Sequence, residues 1–199
     1  VRNTISERVP LARLTMLPVT NKGRDVKPIY TDAAHLLTGY DVIGHIHGKK
    51  SLFNNGATAG WLDYLLDCLM GSEATVQNIF DRFSQEPHAG LIYPAGYHRM
   101  PYWANTWLSN RDWAACLRDR LQLPALPDSY FSYPVGNMFW ARGNAIRPLL
   151  QLGLRDSDFP PEQGQTDGEI MHALERMTTV VARAQGFTNY VINPQSTGI

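Results

Sequence analysis

Short apolar runs closed by Pro, Gly or charged residues alternate along this chain with stretches whose apolar residues return every three or four positions. That alternation constrains the fold more than any other feature. Residues 41–47, 89–93, 135–142 and 187–192 have the length and the β-branched or aromatic content of buried strands, and 14–19 predicts an earlier one. Helical spacing covers 28–37, 61–70, 110–121 and 144–152. It also covers a segment capped by Ser72, with Val76, Ile79, Phe80 and Phe83 on one side. A long helix follows Asp167, which stands at the N-cap position, and carries Ile170, Leu174, Met177 and Val181 on one face. Such an order predicts an α/β domain with a mostly parallel central sheet and helices on both faces. Ligands of sheets of this kind sit at the carboxyl ends of the strands.

The 199 residues, 44% hydrophobic and 11% aromatic, suffice for one domain with a sizeable core, and no linker or repeat divides residues 1–199. Eighteen basic residues balance eighteen acidic ones, which removes the electrostatic case for a nucleic-acid partner. No apolar run approaches the roughly 18 residues of a membrane span, and the front lacks a secretory signal pattern, so a cytoplasmic location is expected. Cys68 and Cys116 share no metal-ligand spacing, and both lie in apolar patterns that predict reduced core thiols. Because it opens on Val1, the chain is expected to be a fragment of a longer one.

Four segments are unusually polar or Gly-bearing for their positions. In Asn21-Lys22-Gly23-Arg24-Asp25, Gly23 allows close backbone approach, and Arg24 suits a phosphate or a pairing with Asp25. A bare turn with a surface ion pair is the plainer alternative. His45 and His47 alternate onto one side of a predicted strand, and Lys49 and Lys50 follow where a diphosphate could be neutralised. Gly136 and Asn137 precede Met138 and Trp140, which read as core or as a stacking face for a sugar. The last segment, residues 162–169, contains Glu162, Asp167 and Glu169 and runs into His172, Glu175 and Arg176. A loop, a cap and solvated charges would account for it without any chemistry.

Taken in order, "NKGRDVKP", "YDVIGHIHGKKS", "YPVGNMFWAR" and "FPPEQGQTDGEIMHALER" resemble the rhamnan synthesis protein F family, from about Leu14 to Gly186. Departures include His45 where a lysine is usual, Gly48 for a threonine-like residue, Leu62 for arginine and Asn137 for serine. The resemblance implies a Rossmann-like glycosyltransferase A-type fold, here with little before Leu14 that has the pattern of its first strand. It also implies an enzyme of bacterial surface-polysaccharide, O-antigen or rhamnan synthesis. Such an enzyme takes a nucleotide sugar, with dTDP-rhamnose the family-level donor, and adds the sugar to a growing glycan or lipid-linked glycan. It would work on the cytosolic side of the inner membrane, associated peripherally through other modules.

On that reading Asn21, Gly23, Arg24, Asp25, His47, Lys49 and Lys50 bind the donor. Gly136, Asn137, Trp140 and His172 face the acceptor. Transfer with inversion needs a carboxylate to take the acceptor proton, and Asp167 is expected to do so, with Glu162 the second candidate. No tightly bound cofactor is expected and no metal ligands are assigned. The histidines could hold Mn²⁺, while Lys49 and Lys50 disfavour a bound cation. A metal-dependent hydrolase built on His45 and His47 is a rival reading, for which the chain is short. A non-catalytic glycan-binding or scaffolding module is another.

Overall fold

Val42–His45 (β1), Ala89–Pro94 (β2), Phe139–Arg142 (β3) and Thr188–Ile192 (β4) form one sheet in the order β1-β3-β2-β4. The structure is a computed structural model describing residues 12–48 and 59–193. β3 pairs antiparallel with both β1 and β2, whereas β2 and β4 are parallel. Three strands therefore run one way and β3 alone runs back between two of them. The sheet is mixed, not mostly parallel as the alternation predicts, because the long connection after Leu121 returns the chain at the opposite end of β3.

Every residue of β2 is buried, as a strand covered on both faces requires. On one face, Trp61–Met70 (α3) and Glu73–Gln85 (α4) supply Leu65, Leu69, Ile79 and Phe83 against Ile92, Met138 and Ile192. Gly143–Leu150 (α6) and Ile170–Ala184 (α7) cover the other with Ile146, Leu149, Leu174, Met177 and Val181 over Leu91, Phe139 and Ala141. Each such side chain contributes about 1.5–3 kcal/mol on burial. Outside this layer, Val26–Tyr30 (α1) and Arg111–Leu121 (α5) pack on α7, and Ala34–Leu37 (α2) packs on α6.

Local signals set most boundaries. Ser72 caps α4, its Oγ accepting from Thr75 N at 3.0 Å. Elsewhere local propensity is overridden. Residues 28–37 are two short helices, since Thr31 and Asp32 turn back on Lys27: Thr31 Oγ1 donates to Lys27 O at 2.8 Å, and Asp32 accepts from Lys27 Nζ at 3.0 Å. Residues 14–19 form no strand. Met16, Leu17 and Val19 are exposed there, and Pro18 could not serve a ladder. Cys68 lies in the core as expected, but Cys116 is exposed on α5. No helix among the described residues is long and apolar enough to cross a membrane.

Candidate functional site

The end of β1 meets the turn that leads into β3, and polar side chains from four separate segments collect there. Gly136 (φ +97°) and Asn137 (φ +57°) take consecutive left-handed conformations, which aim both of their carbonyls at the strand's histidines. Asn137 O meets His45 Nδ1, and Gly136 O lies 2.9 Å from His47 Nε2. The two imidazoles stack with centroids 5.2 Å apart. Asp25 closes the group, accepting from Asn137 Nδ2 at 2.7 Å and lying 3.3 Å from His47 Nε2. From behind, Glu175 on α7 accepts from Gly136 N at 2.8 Å. Burial outweighs the Asp25 charge and pushes the His45 pKa down to about 4.

One helical turn from Glu175, His172 enters a second cluster. Its Nδ1 accepts from Glu169 N at 3.3 Å, so the ring proton is on Nε2, which is buried with no hydrogen-bond partner among the described residues. Burial, then the Arg24 guanidinium, lowers its pKa to about 4, keeping it neutral at physiological pH. Glu162 Oε1 accepts from Gly164 N at 2.9 Å, while Oε2 is buried, has no hydrogen bond among the described residues and lies 3.6 Å from Arg24 Nε. Arg24 itself has a positive φ of +54° and donates to Gln165 O. Strained backbone at Arg24 and Asn137, on two segments that meet through Asp25, is a common mark of functional sites.

Asp167 is committed elsewhere. It accepts from Ser109 N at 2.9 Å and Asn110 Nδ2 at 2.5 Å, with Arg176 Nη2 at 4.0 Å. Burial raises its pKa, but these donors outweigh it and the net shift is downward. The residue before α7 is Glu169, not Asp167; Asp167 instead joins the 162–168 loop to the start of α5.

The remaining expected residues separate. Gly23 is buried, and a Cβ there would lie 2.5 Å from the Phe159 ring, so packing accounts for its size. Asn21 is exposed beside the isolated bridge between Lys22 and Pro161. Trp140 faces α3 and α4, its Nε1 donating to Leu69 O at 3.1 Å and its ring edge-on to Phe80. Lys49 and Lys50 lie outside the described residues. Sequence reasoning passed over Asn110, fully buried, whose amide donates to Trp107 O and Asp167 while its oxygen accepts from Gly168 N at 2.9 Å. His45 entered that reading only as a possible metal ligand and Glu175 only as part of the last polar segment, because their backbone partners are 92 and 39 positions away.

Acid should loosen this site in a defined window. Unfolded, His45 and His172 titrate near 6.5; folded, both titrate near 4. Between those values the unfolded chain binds protons that the folded chain does not, so stability falls as pH drops from about 6.5 towards 4. Urea midpoints at pH 7, 5.5 and 4.5 should fall in that order, with a shallower slope in His172→Gln. A flat profile above pH 4 would contradict the burial of neutral imidazoles. Asp32, Asp156 and Asp167, all shifted downward, act only below about pH 4, and Glu86, shifted downward from 4.5, touches only the lower edge of the window.

Comparison with known proteins supplies the family context. The family described as "Rhamnan synthesis protein F" matches residues 1–187. Among curated proteins, the chain is 36% and 35% identical over 167 residues to two proteins named "Uncharacterized protein WxcX", from two strains of Xanthomonas campestris pv. campestris. The aligned stretch covers 83% of this chain and 23% of each relative, so the chain spans about a quarter of their length. No solved structure gives a significant match.

Proposed function

Since the chain belongs to the rhamnan synthesis protein F family, which ties it to polysaccharide synthesis, we propose that it forms the sugar-transferring domain of a glycosyltransferase. The reaction moves a sugar, rhamnose from dTDP-rhamnose in the first instance, onto a growing surface glycan at the cytosolic face of the membrane.

The observation that carries this reading is two buried polar atoms without hydrogen bonds, on residues near enough for the Glu162 charge to act on His172. Among the described residues, His172 Nε2–H is a donor without an acceptor, and Glu162 Oε2, ion-paired with Arg24 at 3.6 Å, accepts no hydrogen bond. A sugar hydroxyl offers both complements at once, accepting from the imidazole and donating to the carboxylate. Leaving such groups unmet costs about 1–3 kcal/mol each, a cost that a bound polyol relieves. Within this arrangement Glu162 takes the proton of the attacking hydroxyl. The new bond forms between that oxygen and the anomeric carbon, the carbon–oxygen bond to the diphosphate breaks, and its electron pair leaves with the diphosphate. Asp167 acts as a positioning residue that anchors the 162–168 loop on Ser109 and Asn110.

On the donor side, Lys49 and Lys50 follow His47 in sequence and, with Arg24, neutralise the leaving diphosphate. Changing either lysine to Ala should weaken dTDP binding by about 1.5–3 kcal/mol, measured calorimetrically on the intact protein. Unchanged affinity in both variants would remove them from the donor site. A panel of nucleotide sugars scored by thermal shift tests the class itself. Stabilisation by oligosaccharide with no response to any nucleotide would instead favour a glycan-binding module.

A further inference from the structure

We propose that Asp25, His45 and His47 form a three-ligand site for a divalent first-row transition-metal ion. One ligand atom from each residue lies within 4.8 Å of the other two. Asp25 Oδ2 and His47 Nε2 are 3.3 Å apart, the spacing of neighbouring donors around an ion with bonds of about 2.0–2.2 Å.

Proximity alone would be weak grounds. The stronger observation is how the ligands are held. His45 directs Nδ1 to the carbonyl of Asn137, and His47 directs Nδ1 to the carbonyl of Gly48 at 3.0 Å. With Nδ1–H donating to backbone in both rings, Nε2 is the ligand atom of each, and His47 exchanges its present contact with Gly136 O, 2.9 Å from Nε2, for the ion. This is the outer-shell arrangement that orients metal-binding histidines. Asp25 has its own support in the Asn137 carboxamide, whose Nδ2 donates to it at 2.7 Å. The oxygen of that carboxamide is buried without a partner among the described residues, on a residue only 2% exposed.

The charge of an ion is met by Asp25, while Arg24, next to it, turns its guanidinium away to Gln165 O and Glu162, and Glu175 sits behind Gly136. Lys49 and Lys50, two and three residues after His47, work against the ion, so the site relies on its ligands and not on the surrounding charge. Two imidazoles and one carboxylate favour zinc, cobalt or manganese over magnesium, which prefers oxygen ligands in a near-ideal octahedron. With three protein ligands, coordination positions remain open to a further molecule. None of this depends on the transferase reading, and the test below requires no turnover.

Equilibrium dialysis of the chain against Zn²⁺, Co²⁺, Mn²⁺ and Mg²⁺, with elemental analysis, reads the site directly. One equivalent of zinc or cobalt is expected, not displaced by equimolar magnesium. His45→Gln and His47→Gln should each weaken zinc binding more than about 100-fold, beyond the roughly 10–100-fold typical of losing an outer-shell partner. Asn137→Gly, which keeps the left-handed backbone but removes the support of Asp25, should fall in that lower range. Exposed His35→Gln should change nothing. If a variant fails to fold by circular dichroism, nitrogen-15 spectra of the unaltered chain decide the matter. Zinc must then shift Nε2 of both His45 and His47. Failure to bind one equivalent, undiminished binding in both histidine variants, equal competition by magnesium, or unmoved Nε2 resonances would each overturn the site.

Discussion

Glu162→Gln in the intact protein is expected to cut turnover by about 10²–10⁴, the usual worth of a general base, while donor affinity stays nearly constant. The substitution preserves shape and the hydrogen bond that Gly164 N gives to Oε1. It removes the charge and the basicity of Oε2, the oxygen that is buried without a hydrogen bond. Asp167→Asn should behave differently. Both carboxylate oxygens of Asp167 already accept from Ser109 and Asn110, and its lowered pKa makes it the weaker base. Its loss should loosen the 162–168 loop, raising KM more than it lowers kcat. The opposite pattern, collapse with Asp167→Asn and survival with Glu162→Gln, would exchange the two roles and end the assignment of Glu162.

Arg176→Met should destabilise the fold by about 3 kcal/mol, the low end for removing one partner of a buried ion pair. Arg176 is 5% exposed, yet its guanidinium reaches Thr106 O at 2.8 Å through Nε and His172 O at 2.8 Å through Nη1. It also lies 5.0 Å from the Tyr133 ring centroid and 4.0 Å from Asp167. Methionine fills much of the volume but leaves those carbonyls and the carboxylate without their cation. The effect stays at the low end because Asp167 keeps its other donors. Lysine should rescue little, since a single ammonium cannot reproduce the planar fork. Urea denaturation with an unchanged m-value would measure the loss. A loss below about 1 kcal/mol would mean that the contacts of Arg176 are incidental.

What could be read from the chain alone follows from how local each signal is. Trp61–Met70 was legible to the residue, because Gly60 and Gly71 bracket an unbroken apolar pattern and Ser72 caps the next helix. Asp25, Arg24, Glu162 and His172 stood out as polar groups at element ends, and the fold does gather them. Asp167 looked like a cap because a helix begins just after it; its actual donors, Ser109 and Asn110, are 58 and 57 residues away. Trp140 shows the same limit: aromatic bulk suits both core and sugar platform, and only the facing Phe80 and Leu69 separate them. The reversal of β3 was equally hidden, since a strand's composition does not state the direction of its neighbours.

The strap that holds residues 20–27 has a consequence for how the molecule is made. Asp156 takes Lys22 at 2.8 Å and the buried Lys27 at 2.9 Å, and it also accepts from Thr20. Burial works against the Lys27 charge, yet Asp156 and Asp32 hold its pKa above the ordinary value. Asn137 binds Asp25, Gln165 O receives Arg24, and Tyr30 meets Thr178 at 3.4 Å. All these partners except Asp32 are more than a hundred residues downstream. At a synthesis rate of about 5–20 residues per second, the early segment waits roughly 5–30 seconds for them. Contacts of such long range form slowly and late. β4 at 188–192 follows all of these partners in the chain, so the sheet is completed no earlier than these contacts, but the site can open while the sheet persists. Amide exchange should record this as a fast-opening unit spanning 20–30 and 156–168, against slow exchange in β2 and α7.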